Sequence, residues 1–208
     1  MAEIKGILLK AWTDFLKNRY GEKAISEALS TLSTEDRILL SPIFLPSGWY
    51  PYSTLHALRK MTRPLVTAAD RHLSREIGRH MAKCVFTGVY RSLLEKDPIK
   101  QVEKFLWIRD FFFRETRKLE TEIASESRCL VRYRYEDGAK PTRAICESLS
   151  GFWGMTLELA GASGIKSSHP KCLTAGGNCC EFVFEWQPNR AALEAQPSPS
   201  LSLTVTDR

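Results

Sequence analysis

Four side chains of types that bind zinc occur in the last third of this 208-residue chain. Cys172 and Cys180 flank the turn signal Gly176-Gly177-Asn178, and His169 precedes Cys172 by three residues. Such a turn between apolar runs predicts a β-hairpin, which puts the two cysteines on its two legs. Cys146 opens the helix-like segment before this hairpin. The resulting Cys3His composition is typical of structural zinc sites.

The spacing of His169 and Cys172 requires a bend. Residues three apart in a regular strand point to opposite faces of the sheet. Pro170 lies between them, and proline occurs at strand edges and bulges, where both side chains can turn inward. Two interpretations stay open on residue types alone. The four residues bind a metal, or they are reduced thiols beside a surface histidine, because cysteine is also a common small buried residue.

The elements that position these residues follow from the hydrophobic periods. Together they predict an α+β fold, with a helical N-terminal part packed with a small four-stranded antiparallel sheet whose two hairpins flank a helix. The period is helical over 4–31, 52–66, 69–94 and 142–160, and strand-like over 119–123, 129–135 and 182–186.

We expect one ligand-binding-like domain over 1–187, mainly helical over 1–113 and with the sheet, a helix and the metal site over 114–187. Residues 188–208 lose periodicity and predict a disordered tail. Six cysteines without a signal peptide indicate reduced thiols in the cytoplasm. No apolar run is long enough to span a membrane. The net charge of +6 is interleaved with acidic residues, which does not favour nucleic-acid binding.

Two further groups of residues are candidate sites. Aromatic side chains predict the wall of an apolar ligand pocket, although each is compatible with ordinary core packing: Trp107, Phe111, Phe112, Tyr133 and Trp153. Arginines at a four-residue spacing form one face of a helix, which either is solvated or meets an anion or partner: Arg71, Arg75 and Arg79.

No catalytic motif is evident. The chain has no Gly-rich phosphate loop, no nucleophile elbow and no convincing catalytic carboxylate pair. A zinc ion held by four protein ligands also has no open position for water. The sequence therefore predicts a protein that is not an enzyme.

The segment Ile145–Trp186, with Cys172, a glycine turn and Cys180-x-Phe182, resembles the 4-vinyl reductase domain, whose fold is shared with TRAPP-like trafficking subunits. In aromatic-sensing bacterial activators with this domain, a structural zinc is held by one Cys, an acidic residue and two further Cys. The resemblance implies the same role for Cys146, His169, Cys172 and Cys180, with His169 in place of the carboxylate.

The whole chain, over 3–187, also resembles an uncharacterised bacterial family that is numerous in myxobacteria and labelled as related to heme nitric-oxide-binding domains. The matching strings are Lys5-Gly-Ile-Leu, Arg19-Tyr-Gly-Glu, Trp49-Tyr-Pro and Gly88-Val-Tyr-Arg91. Those domains grip heme with a Tyr-x-Ser-x-Arg motif, which is missing here. Structural zinc is therefore the expected cofactor, and heme is not expected.

These observations support a non-catalytic cytoplasmic sensory or regulatory module that binds a small apolar or aromatic ligand. It is stabilised by zinc, forms a homodimer and signals to an unknown downstream protein. The alternative is a dimeric scaffold or adaptor of TRAPP-like fold that acts through protein contacts without a ligand. A third hypothesis, an accessory role in tetrapyrrole metabolism, follows only from the 4-vinyl reductase name.

Overall fold

The computed structural model describes residues 2–67, 70–114, 117–135 and 141–188. Seven α-helices and seven strands lie within these ranges. The helices are α1 (Gly6–Ser30), α2 (Thr34–Leu40), α3 (Ser53–Thr62), α4 (Leu73–Thr87), α5 (Pro98–Glu103), α6 (Phe105–Phe112) and α7 (Arg143–Leu159). The strands are β1 (Glu3–Lys5), β2 (Trp49–Pro51), β3 (Phe113–Arg114), β4 (Arg117–Ser125), β5 (Arg128–Tyr135), β6 (Ser163–Lys171) and β7 (Cys180–Gln187).

The strands form two antiparallel sheets. The larger has the order β4-β5-β7-β6, so its two hairpins are joined through the β5–β7 pair. Its inner face buries Val131, Phe182 and Phe184, each with no exposed surface. The smaller sheet has the order β2-β1-β3 and joins the N-terminus to the segments before α3 and after α6. This architecture confirms the predicted α+β class with helices first and antiparallel strands.

The helices α4 and α7 make the most extensive helix contact in the described part of the chain. Glycines lie where they cross: a Cβ atom at Gly78 would overlap the carbonyl oxygen of Ser148, and one at Gly151 would overlap that of Arg75. The two backbones therefore touch directly. A bidentate ion pair between Arg79 and Glu158, with both N–O distances 2.7 Å, links the same helices farther along.

Three details differ from the sequence-based expectations. The predicted 69–94 helix is shorter, because α4 spans only Leu73–Thr87, whereas α1 continues across a break at Gly21 where φ is 80°. The β2-β1-β3 sheet was not predicted, because strands of two or three residues carry no readable alternation. The expected tail at 188–208 lies almost wholly outside the described residues. None of the described helices is long and apolar enough to cross a membrane.

Candidate functional site

The four predicted metal ligands lie together at one end of the larger sheet. Cys146 is in the first turn of α7, His169 is near the end of β6, Cys172 follows that strand and Cys180 begins β7. Their potential ligand atoms all lie within 4.8 Å of one another. We refer to these four residues as the Cys3His cluster.

Local chain geometry explains why the cluster forms. Thr142 caps α7 by accepting a hydrogen bond from the Ile145 backbone N–H, which fixes the first helical turn at Cys146. The β6–β7 register shifts between Ser168 and Lys171, around Pro170. This irregularity supplies the bend that the odd spacing of His169 and Cys172 requires.

The histidine ring is held in place by packing. It stacks on Phe182, with ring centroids 4.2 Å apart and planes 10° from parallel. The Nε2 atom of His169 is buried and has no hydrogen-bond partner among the described residues. Because buried ring nitrogens are normally satisfied, this unpaired Nε2 atom is available to a ligand.

The sulfur distances match tetrahedral coordination. Two thiolates about 2.3 Å from one zinc ion at the tetrahedral angle lie about 3.8 Å apart. The Cys146 Sγ atom is 3.8 Å from Cys180 Sγ and 4.0 Å from Cys172 Sγ. All six cysteines are unpaired thiols, so no disulfide competes for these sulfurs.

The electrostatics of the cluster favour a thiolate. The hydrogen bond with Cys146, helped by neighbouring His169, lowers the pKa of the Cys180 thiol. The same hydrogen bond, together with burial, raises the pKa of Cys146. The two shifts run in opposite directions, and zinc would deprotonate both groups on binding, because it binds the thiolate form.

A second feature is a buried cavity of about 50 Å³ between the N-terminal helices, α6, β5 and α7. Its lining is largely apolar: Ile4, Leu8, Trp12, Tyr52, Leu55, Arg59, Met81, Ile108, Arg109, Phe112, Phe113, Tyr133, Ile145, Ser148, Leu149, Phe152 and Trp153. Trp153 donates a hydrogen bond from Nε1 to the hydroxyl oxygen of Tyr133 at 2.8 Å, which fixes two walls of the cavity.

Two arginines in this lining were not predicted from the sequence. The Arg109 side chain is only 12% exposed, and its Nε atom has no hydrogen-bond partner among the described residues. Arg59 donates a hydrogen bond to Thr142 Oγ1. An isolated arginine in a sequence is normally expected at the surface, because its charge is costly to bury. The only available signal was the position of Arg109 inside the dense apolar run 105–113.

The predicted pocket residues divide into two groups. Phe112, Tyr133 and Trp153 line the cavity, and each is at most 2% exposed. Trp107 is 51% exposed and does not line it. Phe111 packs against the edges of Tyr90 and Phe112 and also lies outside the lining.

The predicted arginine face also divides. Arg79 is engaged with Glu158, and Arg75 donates a hydrogen bond to Ser167 Oγ. Arg71 is exposed and lines an open groove beside α3 and α4. The three arginines therefore do not form one continuous surface for a partner.

Comparison with known proteins identifies the fold. No family model and no curated protein matches the chain. Solved H-NOX structures do match: a mutant H-NOX protein from K. algicida in the Fe(II) unliganded state has a TM-score of 0.64 and 18% identity, and covers 91% of this chain and 100% of its own. An S. oneidensis H-NOX protein in the Fe(II)NO state has a TM-score of 0.66 and 14% identity, with 88% and 99% coverage. An H-NOX domain from Shewanella oneidensis in the Fe(II)CO state has a TM-score of 0.65 and 16% identity, with 89% and 100% coverage.

These neighbours correct two sequence-based assignments. The resemblance of Ile145–Trp186 to 4-vinyl reductase and TRAPP-like domains is wrong as an identification, because the solved structures that match nearly the whole chain are H-NOX proteins. The cofactor prediction of zinc without heme is also wrong, since the matching structures are named by Fe(II), NO and CO ligation states. At 14–18% identity the likeness shows the fold alone. The chain therefore has an H-NOX-like fold over nearly its whole described length.

Proposed function

We propose that the chain is a non-catalytic sensor domain that binds a small apolar molecule in the buried cavity. The observation that carries this proposal is the cavity itself, an apolar space between helices and sheet with the partly unsatisfied Arg109 in its wall. Apolar cavities with a few polar anchors are the usual form of a small-molecule site. The H-NOX-like fold supports the proposal, because its solved examples are named by bound Fe(II), NO or CO.

Heme is the first ligand that the fold implies. The cavity, at about 50 Å³, is much smaller than the roughly 300–1,000 Å³ of typical ligand pockets. No histidine or cysteine lines it; Tyr52, Tyr133 and Met81 are its only described residues of types that ligate heme iron. A lining of this size and composition does not fit a tetrapyrrole. Hemin titration tests this conclusion directly.

The proposal includes a structural zinc ion in the Cys3His cluster. The sulfur spacing, the orphan Nε2 atom of His169 and the four-ligand composition support it. Zinc would tie the first turn of α7 to both legs of the β6–β7 hairpin. Since α7 also lines the cavity through Phe152 and Trp153, the ion would stabilise one wall of the ligand site.

A second candidate function is an adaptor that acts through protein contacts. Several large apolar side chains favour it because they are exposed: Ile43 at 87%, Val89 at 69%, Trp107 at 51% and Leu106 at 48%. Such surface is a common feature of interaction sites, although single exposed residues are ordinary. This candidate needs no ligand in the cavity.

Native mass spectrometry of the untagged protein, followed by hemin titration, tests the proposal. We expect one zinc ion per chain and a retained organic mass, whereas a hemin spectrum that saturates at one equivalent would show that the lining rearranges to admit a tetrapyrrole. The subunit count from the same spectrum tests the expected homodimer. A metal-bound protein that retains nothing, binds no hemin and gains no thermal stability from small apolar ligands would favour the adaptor.

A further inference from the structure

An open groove of about 790 Å³ adjoins the buried cavity. It runs beside α3, the start of α4 and the start of α7, and we call it the basic groove. The groove and the cavity share three lining residues: Trp12, Arg59 and Ile145. Its volume lies within the roughly 300–1,000 Å³ range of small-molecule sites.

The groove has an apolar floor and a cationic rim. Trp12, Leu73 and Ile77 form the floor, and each is at most 7% exposed. The rim carries five cationic side chains: Arg59, Lys60, Arg63, Arg71 and Arg143.

The carboxylates that line the groove do not balance this charge. Among the described residues they are Asp70 and Glu147, which pair with Arg19 and Arg143 respectively. Lys60 pairs with Asp36 outside the groove. Within the part of the chain that the structure describes, no ion pair is found for the remaining rim residues, Arg59, Arg63 and Arg71. The groove therefore offers an excess of positive charge next to apolar surface.

Arg59 occupies the junction between groove and cavity. It is partly buried, and burial lowers its pKa, with only Tyr52 and Tyr135 acting in the opposite direction. A partly buried guanidinium without a carboxylate is costly unless a ligand supplies the counter-charge. The planar guanidinium binds a carboxylate through two parallel hydrogen bonds.

We propose that the basic groove binds an apolar molecule bearing a carboxylate, with the carboxylate on Arg59 and the apolar body on the Trp12, Leu73 and Ile77 floor leading to the cavity. This inference rests on the proposed function and defines its ligand class. Arg63 and Arg71 would attract the anion from solution, because their charges lie on the rim. Apolar ligands without an acidic group would bind the same surface more weakly.

Two features favour a small acid over an acidic macromolecule. The groove shares Trp12, Arg59 and Ile145 with a cavity of only about 50 Å³, and a folded protein surface cannot enter so small a space. Its floor is also apolar, whereas a site for a purely anionic chain needs only the cationic rim. Both features match an amphipathic small molecule.

The test compares an acid with its neutral ester on the full chain. The probe is cis-parinaric acid, a fluorescent polyene fatty acid, and the control ligand is its methyl ester. We expect the acid to bind at least tenfold more tightly than the ester, since hydrogen bonds to charged groups correspond to roughly ten- to hundredfold in affinity. Arg59→Gln should remove this preference, so that the variant binds the acid no more tightly than the ester.

Arg37→Gln is the matched control variant, because Arg37 is exposed on α2 and lies outside the groove lining. It should keep the full preference for the acid. Circular dichroism of both variants checks that they are folded. Equal binding of acid and ester to the unaltered chain would overturn the inference and leave the proposed apolar cavity intact. An Arg59→Gln variant that retains the preference would also overturn it.

Protoporphyrin IX and its dimethyl ester separate the two sources of such an acid. Preference for the porphyrin acid over its ester, lost in Arg59→Gln, would assign the groove to a tetrapyrrole carboxylate. Preference for parinaric acid alone would assign it to a chain-type acid. If neither acid binds better than its ester, the inference is wrong. Binding of polyglutamate without either small acid would assign the groove to an acidic protein and would also overturn it.

Discussion

The Cys3His cluster and the buried cavity are built in different ways, although α7 contributes to both. The cluster takes its four residues from 35 consecutive positions, within one helix start and one hairpin. The cavity takes its lining from five helices and from both sheets, at positions from Ile4 to Trp153. The first is a local arrangement of ligand atoms, and the second is a product of the whole fold.

The two regions therefore depend on different interactions for their stability. The cluster needs the β6–β7 hairpin and the Thr142 cap, so a metal ion would contribute much of its stability. The cavity depends on packing among helices far apart in sequence. A substitution in the cluster should therefore leave the cavity intact, and a substitution in the cavity wall should leave the cluster intact.

The largest effect is expected at the cavity wall. Phe112→Ala removes a ring that is 1% exposed and should lower the free energy of unfolding by about 3–5 kcal/mol. Trp107→Ala, in the same helix but 51% exposed, should cost less than about 1 kcal/mol. Urea unfolding measures both. Similar losses for the two variants would contradict the placement of Trp107 outside the cavity.

The next effect is expected at the cluster. Cys172→Ser should reduce bound zinc from one equivalent to none. It should also lower the free energy of unfolding by about 3 kcal/mol, because a structural metal site stabilises the folded chain. Metal analysis and thermal unfolding measure the two quantities. Cys84→Ser is the control, since Cys84 lies on α4 outside the cluster and should keep the metal. Unchanged metal content in Cys172→Ser would refute the assignment.

A smaller effect is expected where α4 and α7 cross. Gly151→Ala should cost about 1–3 kcal/mol, because the new Cβ atom overlaps the Arg75 carbonyl and forces the helices apart. Gly154→Ala on the same helix meets its nearest atom at 3.7 Å and should be neutral or stabilising by up to about 1 kcal/mol. Thermal unfolding of each variant measures its change in stability. Equal costs would show that the crossing is looser than described.

The smallest effect is expected at Asp70, whose contribution to the free energy of unfolding depends on pH. Asp70 accepts hydrogen bonds from the Thr67 backbone N–H and hydroxyl and from Arg19, which lower its pKa. Because the folded pKa lies below the unfolded value of about 3.9, this contribution is present above about pH 4 and disappears as pH falls toward the folded pKa. Asp70→Asn should therefore be less stable than the parent at pH 7, and the difference should shrink below pH 4. Glu22→Gln, an exposed control, should follow the parent curve throughout, and a constant difference for Asp70→Asn would contradict the assignment.

The same contrast explains how much the sequence could predict. The hairpin and the convergence of Cys146, His169, Cys172 and Cys180 follow from a glycine turn, a proline bend and short separations, all of which are local signals. The helices of the N-terminal part and the strands of the larger sheet follow from their hydrophobic periods. The metal itself stays a prediction.

Other features have no local signal. The β1 strand pairs with partners near residues 50 and 114, and three-residue strands show no alternation to reveal it. Arg59 and Arg109 line the cavity because helices distant in sequence enclose them, whereas their residue type predicts exposure. The TRAPP-like identification failed for a related reason. It relied on the C-terminal hairpin and helix, a short segment that carries no information on how the N-terminal helices are arranged.

The glycine contact between α4 and α7 has a mechanical consequence. Backbones that touch at Gly78 and Gly151 and are clamped by Arg79 and Glu158 cannot slide past each other without collision, so we expect the two helices to move as one rigid body. Expansion of the cavity around a ligand must then come from displacement of α1 and α3 on its other side. The distance between labels on α3 and α7 should change when a ligand binds. The distance between labels on α4 and α7 should stay constant and provide the internal control.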